Sequence, residues 1–172
     1  MPESTLAQDP AAHAAHAARP PVVLEPGAGE PVWFLDNLLT IKAKPVPGAP
    51  FGLVENEMPA GSHTPLHAHD GEDEAFYVLE GELVVHLEGG RQVHARPGAY
   101  LQIPRGTAHG FVTKTRVRML VLCGADGFLE MAREAGVPAP RRELPPLAEP
   151  DHARLAAACD RHQIRLLGPL PQ

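Results

Sequence analysis

The chain has 172 residues, enough for one domain with a sizeable core, and a formal charge of −6. That charge, with no basic run or basic-aromatic patch, argues against nucleic acid or an anionic membrane as partner. Apolar residues make up 44% of the chain and aromatics only 5%, so the core is expected to consist mostly of Val, Leu and Ala.

Residues 1–20, MPESTLAQDPAAHAAHAARP, hold almost no large apolar side chain and cannot offset the entropy of ordering. A flexible tail is expected there, although Ala-His repeats such as those around His13 and His16 can chelate metal. A short apolar run, Val22-Val23-Leu24, precedes the turn-rich EPGAGEP. Residues 32–35 and 38–42 are expected to be strands joined by a hairpin turn at Asp36-Asn37. Trp33, the single tryptophan, is assigned to packing at the barrel end. KPVPGAP is a loop, and the next strand runs from Phe51 to Met58.

Beyond Gly81, the stretch Glu82 to Leu87 alternates, with Leu83, Val85 and Leu87 on one face and Glu82, Val84 and His86 on the other. A turn at Glu88-Gly89-Gly90-Arg91 returns the chain through Gln92 to Ala95. His86 and His94 are expected to face solvent. Arg116 to Cys123 is a strand with Val117, Met119, Val121 and Cys123 on one face. Short strands punctuated by Gly and Pro predict an all-β sandwich or barrel.

Helical signals come late. Asp126 caps a helix through Ala135 that Gly136 stops. Val137 to Pro150 is irregular. Asp151 caps a second helix over His152 to His162, with Leu155, Ala156 and Cys159 on one face. Ile164 to Gln172 is an extended tail. The expected organisation is a tail over 1–20, a β-domain over 21–125 and a helical and extended appendage over 126–172.

Cys123 and Cys159 form no CxxC pair and suit buried small residues in a reducing compartment; the sequence leaves a disulfide between them open. No stretch reaches the roughly 18 apolar residues of a membrane span. No basic region followed by an apolar core marks a secretory signal, so a cytoplasmic protein is expected.

The chemistry concentrates in Gly61 to Gly81, GSHTPLHAHDGEDEAFYVLEG. Residues two apart on a strand share a face, so His67 and His69 can reach one metal ion. Asp70-Gly71 breaks the strand, and the acidic turn can bring a carboxylate back over the site. Glu72 and Glu74 have the same parity, and the residues alone do not choose between them. A second stretch, GAYLQIPRGTAHGFVT from Gly98 to Thr113, turns at Pro104 and Gly106 and places His109 on the following strand. The faces of Glu74 and His109 carry Phe76, Val78, Phe111 and Thr113. These line an apolar substrate pocket or pack as plain core.

Both stretches resemble the cupin motif. The first matches as Gly61, His67, His69, Glu74 and Gly81, and the second as Gly98, Pro104, Gly106 and His109, each at the family's spacing. The resemblance implies a double-stranded β-helix, or jelly-roll barrel, here followed by the two short C-terminal helices. It also implies that His67, His69, Glu74 and His109 ligate one metal, which selects Glu74 over Glu72. One position departs: the family's Asn four residues after the last His is Thr113, which puts a local hydrogen bond in doubt.

Together with PVWFLDNLLTIKA and the C-terminal GFLEMAREAGVP and RLAAACDRHQIRLLGP, these segments are similar to single-domain bacterial cupins of the quercetin 2,3-dioxygenase type. In flavonol dioxygenases of that type the substrate loses a proton to the Glu and reacts with dioxygen. Its heterocycle then opens with loss of carbon monoxide, so Glu74 is the implied base. Three imidazoles and a carboxylate suit one divalent transition metal among Fe, Mn, Ni, Co, Cu and Zn without choosing one. Three functions follow as expectations. One is a dioxygenase acting on a flavonol-like or other enolisable aromatic, with dioxygen as co-substrate. Another is a non-redox metal cupin such as a polyketide cyclase or isomerase. The third is a non-catalytic small-molecule binding module. Pairing into a homodimer through β-edges is common in similar cupins.

Overall fold

Among the described residues the chain forms twelve strands and two α-helices. The computed structural model describes residues 20–47 and 49–171. The expected tail, with His13 and His16, lies outside the described residues save for Pro20.

In chain order the strands are Glu30–Phe34 (β1), Asn37–Ala43 (β2), Gly52–Met58 (β3), Leu66–His69 (β4), Glu74–Glu80 (β5), Leu83–Leu87 (β6), Arg91–Ala95 (β7), Tyr100–Ile103 (β8), His109–Thr113 (β9) and Val117–Cys123 (β10). Gly127–Ala135 (α1), Val137–Pro138 (β11), His152–Arg161 (α2) and Ile164–Gly168 (β12) follow. All pairings are antiparallel. They give a seven-stranded sheet, β11-β1-β2-β3-β10-β5-β8, and a five-stranded sheet, β12-β4-β9-β6-β7. The fold is a jelly roll, which is an all-β arrangement as the short strands predict and the particular one that the resemblance implies.

Period-two alternation puts Val54 and Met58 of β3, Phe76 and Val78 of β5, and Val117, Met119 and Val121 of β10 inside. Leu83 and Val85 of β6 and Phe111 of β9 meet them from the other sheet in one apolar cluster. Each such fully buried side chain contributes about 1.5–3 kcal/mol relative to exposure. Gly81 joins β5 to β6 at a φ of 80°, where an added Cβ would lie 2.1 Å from Arg116 O. Only glycine fits that turn.

Several expectations shift. The first hairpin turns at Leu35-Asp36, one residue earlier than expected, with Phe34 paired to Asn37 and Leu35 at a φ of 56°. Asn37 belongs to the strand because its buried amide oxygen lies 3.0 Å from Ser62 Oγ. Trp33 does not plug the barrel. It is half-buried on β1, donates from its indole N–H to Glu143 O at 2.7 Å, and has Arg141 5.8 Å above its ring. It therefore anchors the irregular segment after α1.

His86 does not face solvent; it is 7% exposed. It pairs with Gly110 across the strands, and the side chain of Leu170 rests where a Cβ of Gly110 would stand. The end of the chain thus covers the outer face of β6 and β9, while His94 stays exposed. The extended tail is in fact strand β12, hydrogen-bonded along β4 with Leu166 opposite His67. In α2 the buried side is Ala158 and Cys159 with half-buried Leu155, while Ala156 is exposed. Positions 155, 158 and 159 follow the helical repeat, which 156 does not. Both cysteines are buried and free.

Candidate metal centre

Two motif residues come from β4. His67 and His69 point to the barrel interior from that strand, and His109, first residue of β9, pairs directly with His67. Glu74 opens β5 in the opposite sheet, paired with Cys123. The four side chains each present one ligand atom, and these atoms all lie within 4.8 Å of one another. Two ligands held about 2.1 Å from one ion stand about 3.0 Å apart at right angles and about 4.2 Å apart when opposed, so the cluster fits an ion with little movement. His69, Glu74 and His109 are buried and His67 half-buried.

The imidazole tautomers follow from their partners. His67 Nδ1 lies 2.9 Å from Pro65 O, and His109 Nδ1 lies 3.0 Å from Thr107 O. A carbonyl only accepts, so each Nδ1 carries its proton and each Nε2 faces inward. His109 Nε2 sits 3.0 Å from Glu74 Oε2. Two electron-rich atoms at that distance need a cation between them, either a proton or a metal ion. The donor set therefore suits a divalent transition metal.

The surrounding turn is pinned by β12 and by the second motif. Asp70 accepts from the Arg165 guanidinium at 2.6 and 2.9 Å, Asp73 accepts from Arg105 at 3.0 and 3.1 Å, and Gly106 N–H donates to His69 O at 2.7 Å. Glu72 does not join the cluster. It precedes β5, outside the strand on which parity was counted, and its carboxylate accepts from Ala125 N–H at 3.2 Å and Phe128 N–H at 2.6 Å.

Burial, reinforced by charge on His109 and His69, pushes the His67 imidazole down to about 4. Burial alone would raise Glu74, but charge on His69 and the hydrogen bond and charge of His109 outweigh it and hold the carboxyl at about 2. His69 is raised: burial opposes the proton, yet Glu74 and Glu72 more than compensate. The signs differ for stability. His67 in the unfolded chain takes a proton near 6.5 that the folded chain refuses until about 4, so this group destabilises the metal-free fold as pH falls across that window. Glu74 adds a further loss between 4.5 and about 2. His69 works the other way, favouring the fold below 6.5 and losing that contribution as pH rises through its raised value. Melting temperature of chelator-treated protein should therefore fall less steeply from pH 6.5 to 4 in His67→Gln than in wild type. Equal slopes would contradict the assignment.

Beside the cluster lies a cavity of about 40 Å³ lined by Phe34, Asn56, Phe76, Phe111, Met119 and Phe128, among others. Phe76 and Phe111 of the expected pocket line it, their rings 6.1 Å apart edge to face. Val78 and Thr113 share those faces but lie outside the lining, buried in the barrel. Thr113, at the family's Asn position, donates its hydroxyl to Pro59 O at 2.7 Å and so ties β9 to the loop before the motif. The cavity holds a water or a few at most, far below the roughly 300–1,000 Å³ of a small-molecule site. The aromatic rings and Met119 fill the space expected for substrate. Sequence reasoning missed Asn56, whose buried side-chain oxygen has no hydrogen-bond partner. Its signal was present: in GLVENEM it is the one polar side chain on the Val54 and Met58 face. Phe128, from α1, carried no such local signal.

Residues 54–123 match the family model described as the cupin domain. The chain is 34% identical over 93 residues to quercetin 2,3-dioxygenase of Bacillus subtilis (strain 168), covering 53% of this chain and 27% of that protein. It is 32% identical over 76 residues to an uncharacterized protein of Methanocaldococcus jannaschii, covering 44% and 60%. The chain therefore spans less than two thirds of either curated relative. Among solved structures, ectoine synthase from P. lautus superposes with a TM-score of 0.52 at 19% identity, over 72% of this chain and 89% of that one, a likeness of fold. Among the described residues no helix is long and apolar enough to cross a membrane.

Proposed function

This chain belongs to the cupin superfamily, and from that premise we propose that His67, His69, Glu74 and His109 hold one divalent transition metal in a dioxygenase acting on a flavonol-like or other enolisable aromatic. The observation that carries the proposal is the buried cluster itself, with the Nδ1 protons of His67 and His109 turned away and a carboxylate oxygen 3.0 Å from His109 Nε2. The stretch shared with quercetin 2,3-dioxygenase supports the choice of reaction.

A metal held there supplies Lewis acidity and, if redox-active, electron exchange with dioxygen. Glu74, ionised at neutral pH, is the group available to accept a proton from a substrate hydroxyl. The unpartnered oxygen of Asn56 is available to hold a polar substrate atom. Phe76 and Phe111, with Phe34 and Phe128, supply flat apolar walls, and Val78 and Thr113 back them. A flavonol needs more room than about 40 Å³, so its entry has to displace part of the wall. Phe128 and the β1–β2 turn beside Phe34 are the wall elements outside the barrel centre. The same proposal takes residues 21–125 as the unit carrying the site, residues 126–172 as an addition to it, and the cytoplasm as the place of action.

The test is aerobic turnover by metal-loaded protein. Flavonol-dependent dioxygen uptake with release of carbon monoxide is expected. A protein loaded with redox-active metal that consumes no dioxygen with any flavonol or enolisable aromatic would fail the dioxygenase reading, leaving a non-redox cyclase or isomerase.

A further inference from the structure

Glu72 is 3% exposed, yet the metal cluster does not use it. A carboxylate so deeply buried needs compensating donors. Two come from the start of α1: Phe128 N–H donates to Oε1 at 2.6 Å and Ala125 N–H to Oε2 at 3.2 Å. Asp126, in the N-cap position, makes no side-chain cap, so Glu72 caps the helix from a distant part of the chain. The same Oε1 lies 3.5 Å from His69 Nδ1. That nitrogen is buried and has no hydrogen-bond partner of ordinary length. His67 and His109 each aim Nδ1 at the carbonyl two residues earlier; His69 faces the Glu72 carboxylate instead. On its other side His69 Nε2 is 3.8 Å from Glu74 Oε2. The ring stands between two carboxylates, one in the cluster and one at the helix.

We propose that Glu72 is a positioning residue that sets the tautomer and orientation of His69 through Nδ1 while holding the N-terminus of α1, and with it Phe128, against the site. This rests on the metal-centre proposal for its consequence, not for its geometry. One carboxylate thereby couples a metal ligand to the helix that closes the cavity: Phe128 lines that cavity, with its ring 6.2 Å from that of His69. Displacing α1 to admit substrate would loosen the contact that orients His69, so cavity opening and metal affinity are linked. Carboxylates behind metal-bound imidazoles typically change affinity by about 10–100-fold when removed.

The test uses the full chain, stripped with chelator and titrated with Zn²⁺ or Co²⁺, beside Glu72→Gln and Glu72→Ala. Glu72→Gln keeps an oxygen for the Phe128 N–H but loses the charge facing His69. It also loses the bond from Ala125 N–H, so a lower melting temperature is expected under either role. Affinity for metal about 10–100-fold weaker marks the positioning role, whereas a mere helix cap would leave affinity alone. Wild-type affinity in Glu72→Gln overturns the proposal. A second measurement needs neither metal nor variant: long-range ¹H–¹⁵N NMR of stripped wild-type protein at alkaline pH, where the ring is neutral. The proton of His69 should reside on Nδ1, and an Nε2–H tautomer would overturn the proposal even if the variants failed to fold. Failure of wild type to bind metal, with Nδ1–H retained at His69, would instead count against the metal centre alone.

Discussion

Replacing His109 with alanine should abolish stoichiometric metal binding while the barrel stays folded. His109 is 1% exposed, pairs with His67 across the strands and approaches Glu74 at 3.0 Å, so it joins the two sheets at the cluster. Removing it leaves three candidate ligands and a void in the buried cluster. Loss of a coordinating residue should exceed the roughly 10–100-fold penalty of losing a supporting one. The strand pairing of β9 with β6 runs from Leu83–Thr113 to Leu87–His109 through backbone groups, which alanine preserves. Equilibrium dialysis against Zn²⁺ or Co²⁺, with far-UV circular dichroism to verify the fold, reads both halves. Full metal retention by the folded variant would remove His109 from the site. His67→Ala and His69→Ala should behave alike.

The second large effect is expected at Glu74. Glu74→Gln keeps the shape and a weak oxygen ligand but cannot take a proton, and a positioned base contributes typically about 10²–10⁴-fold. With a flavonol as substrate the variant should retain metal and bind substrate but turn over at least about a hundredfold more slowly. Comparing kcat and KM for dioxygen consumption separates this from a binding defect. An unchanged kcat would show that Glu74 is not the base.

Local pattern carried the two histidines of β4, the family resemblance the rest of the candidate cluster, and neither much of what surrounds them. His67 and His69 lie on one strand face, and a period-two rule finds them. Parity could not separate Glu72 from Glu74, because it counts positions along a strand and Glu72 lies before β5 begins. Two residues apart in sequence, the carboxylates end on opposite nitrogens of the His69 ring. His86 looked solvent-facing because its own strand alternates; its cover, Leu170, lies 84 positions later in the chain. The pairing of β12 with β4 is equally remote, since Ile164 to Gly168 offers short apolar strand chemistry with no mark of its partner. Cavity size was beyond pattern altogether. Phe76 and Phe111 were found on the right faces, but the space they leave depends on Met119 and Phe128, brought in by β10 and α1.

The central claim is that His67, His69, Glu74 and His109 form one metal site, and the direct measurement is the stoichiometry of metal re-bound by stripped wild-type protein. Isothermal titration with Co²⁺ or Zn²⁺ should give one ion per chain. No binding, or binding unchanged when His109 is replaced, would contradict it.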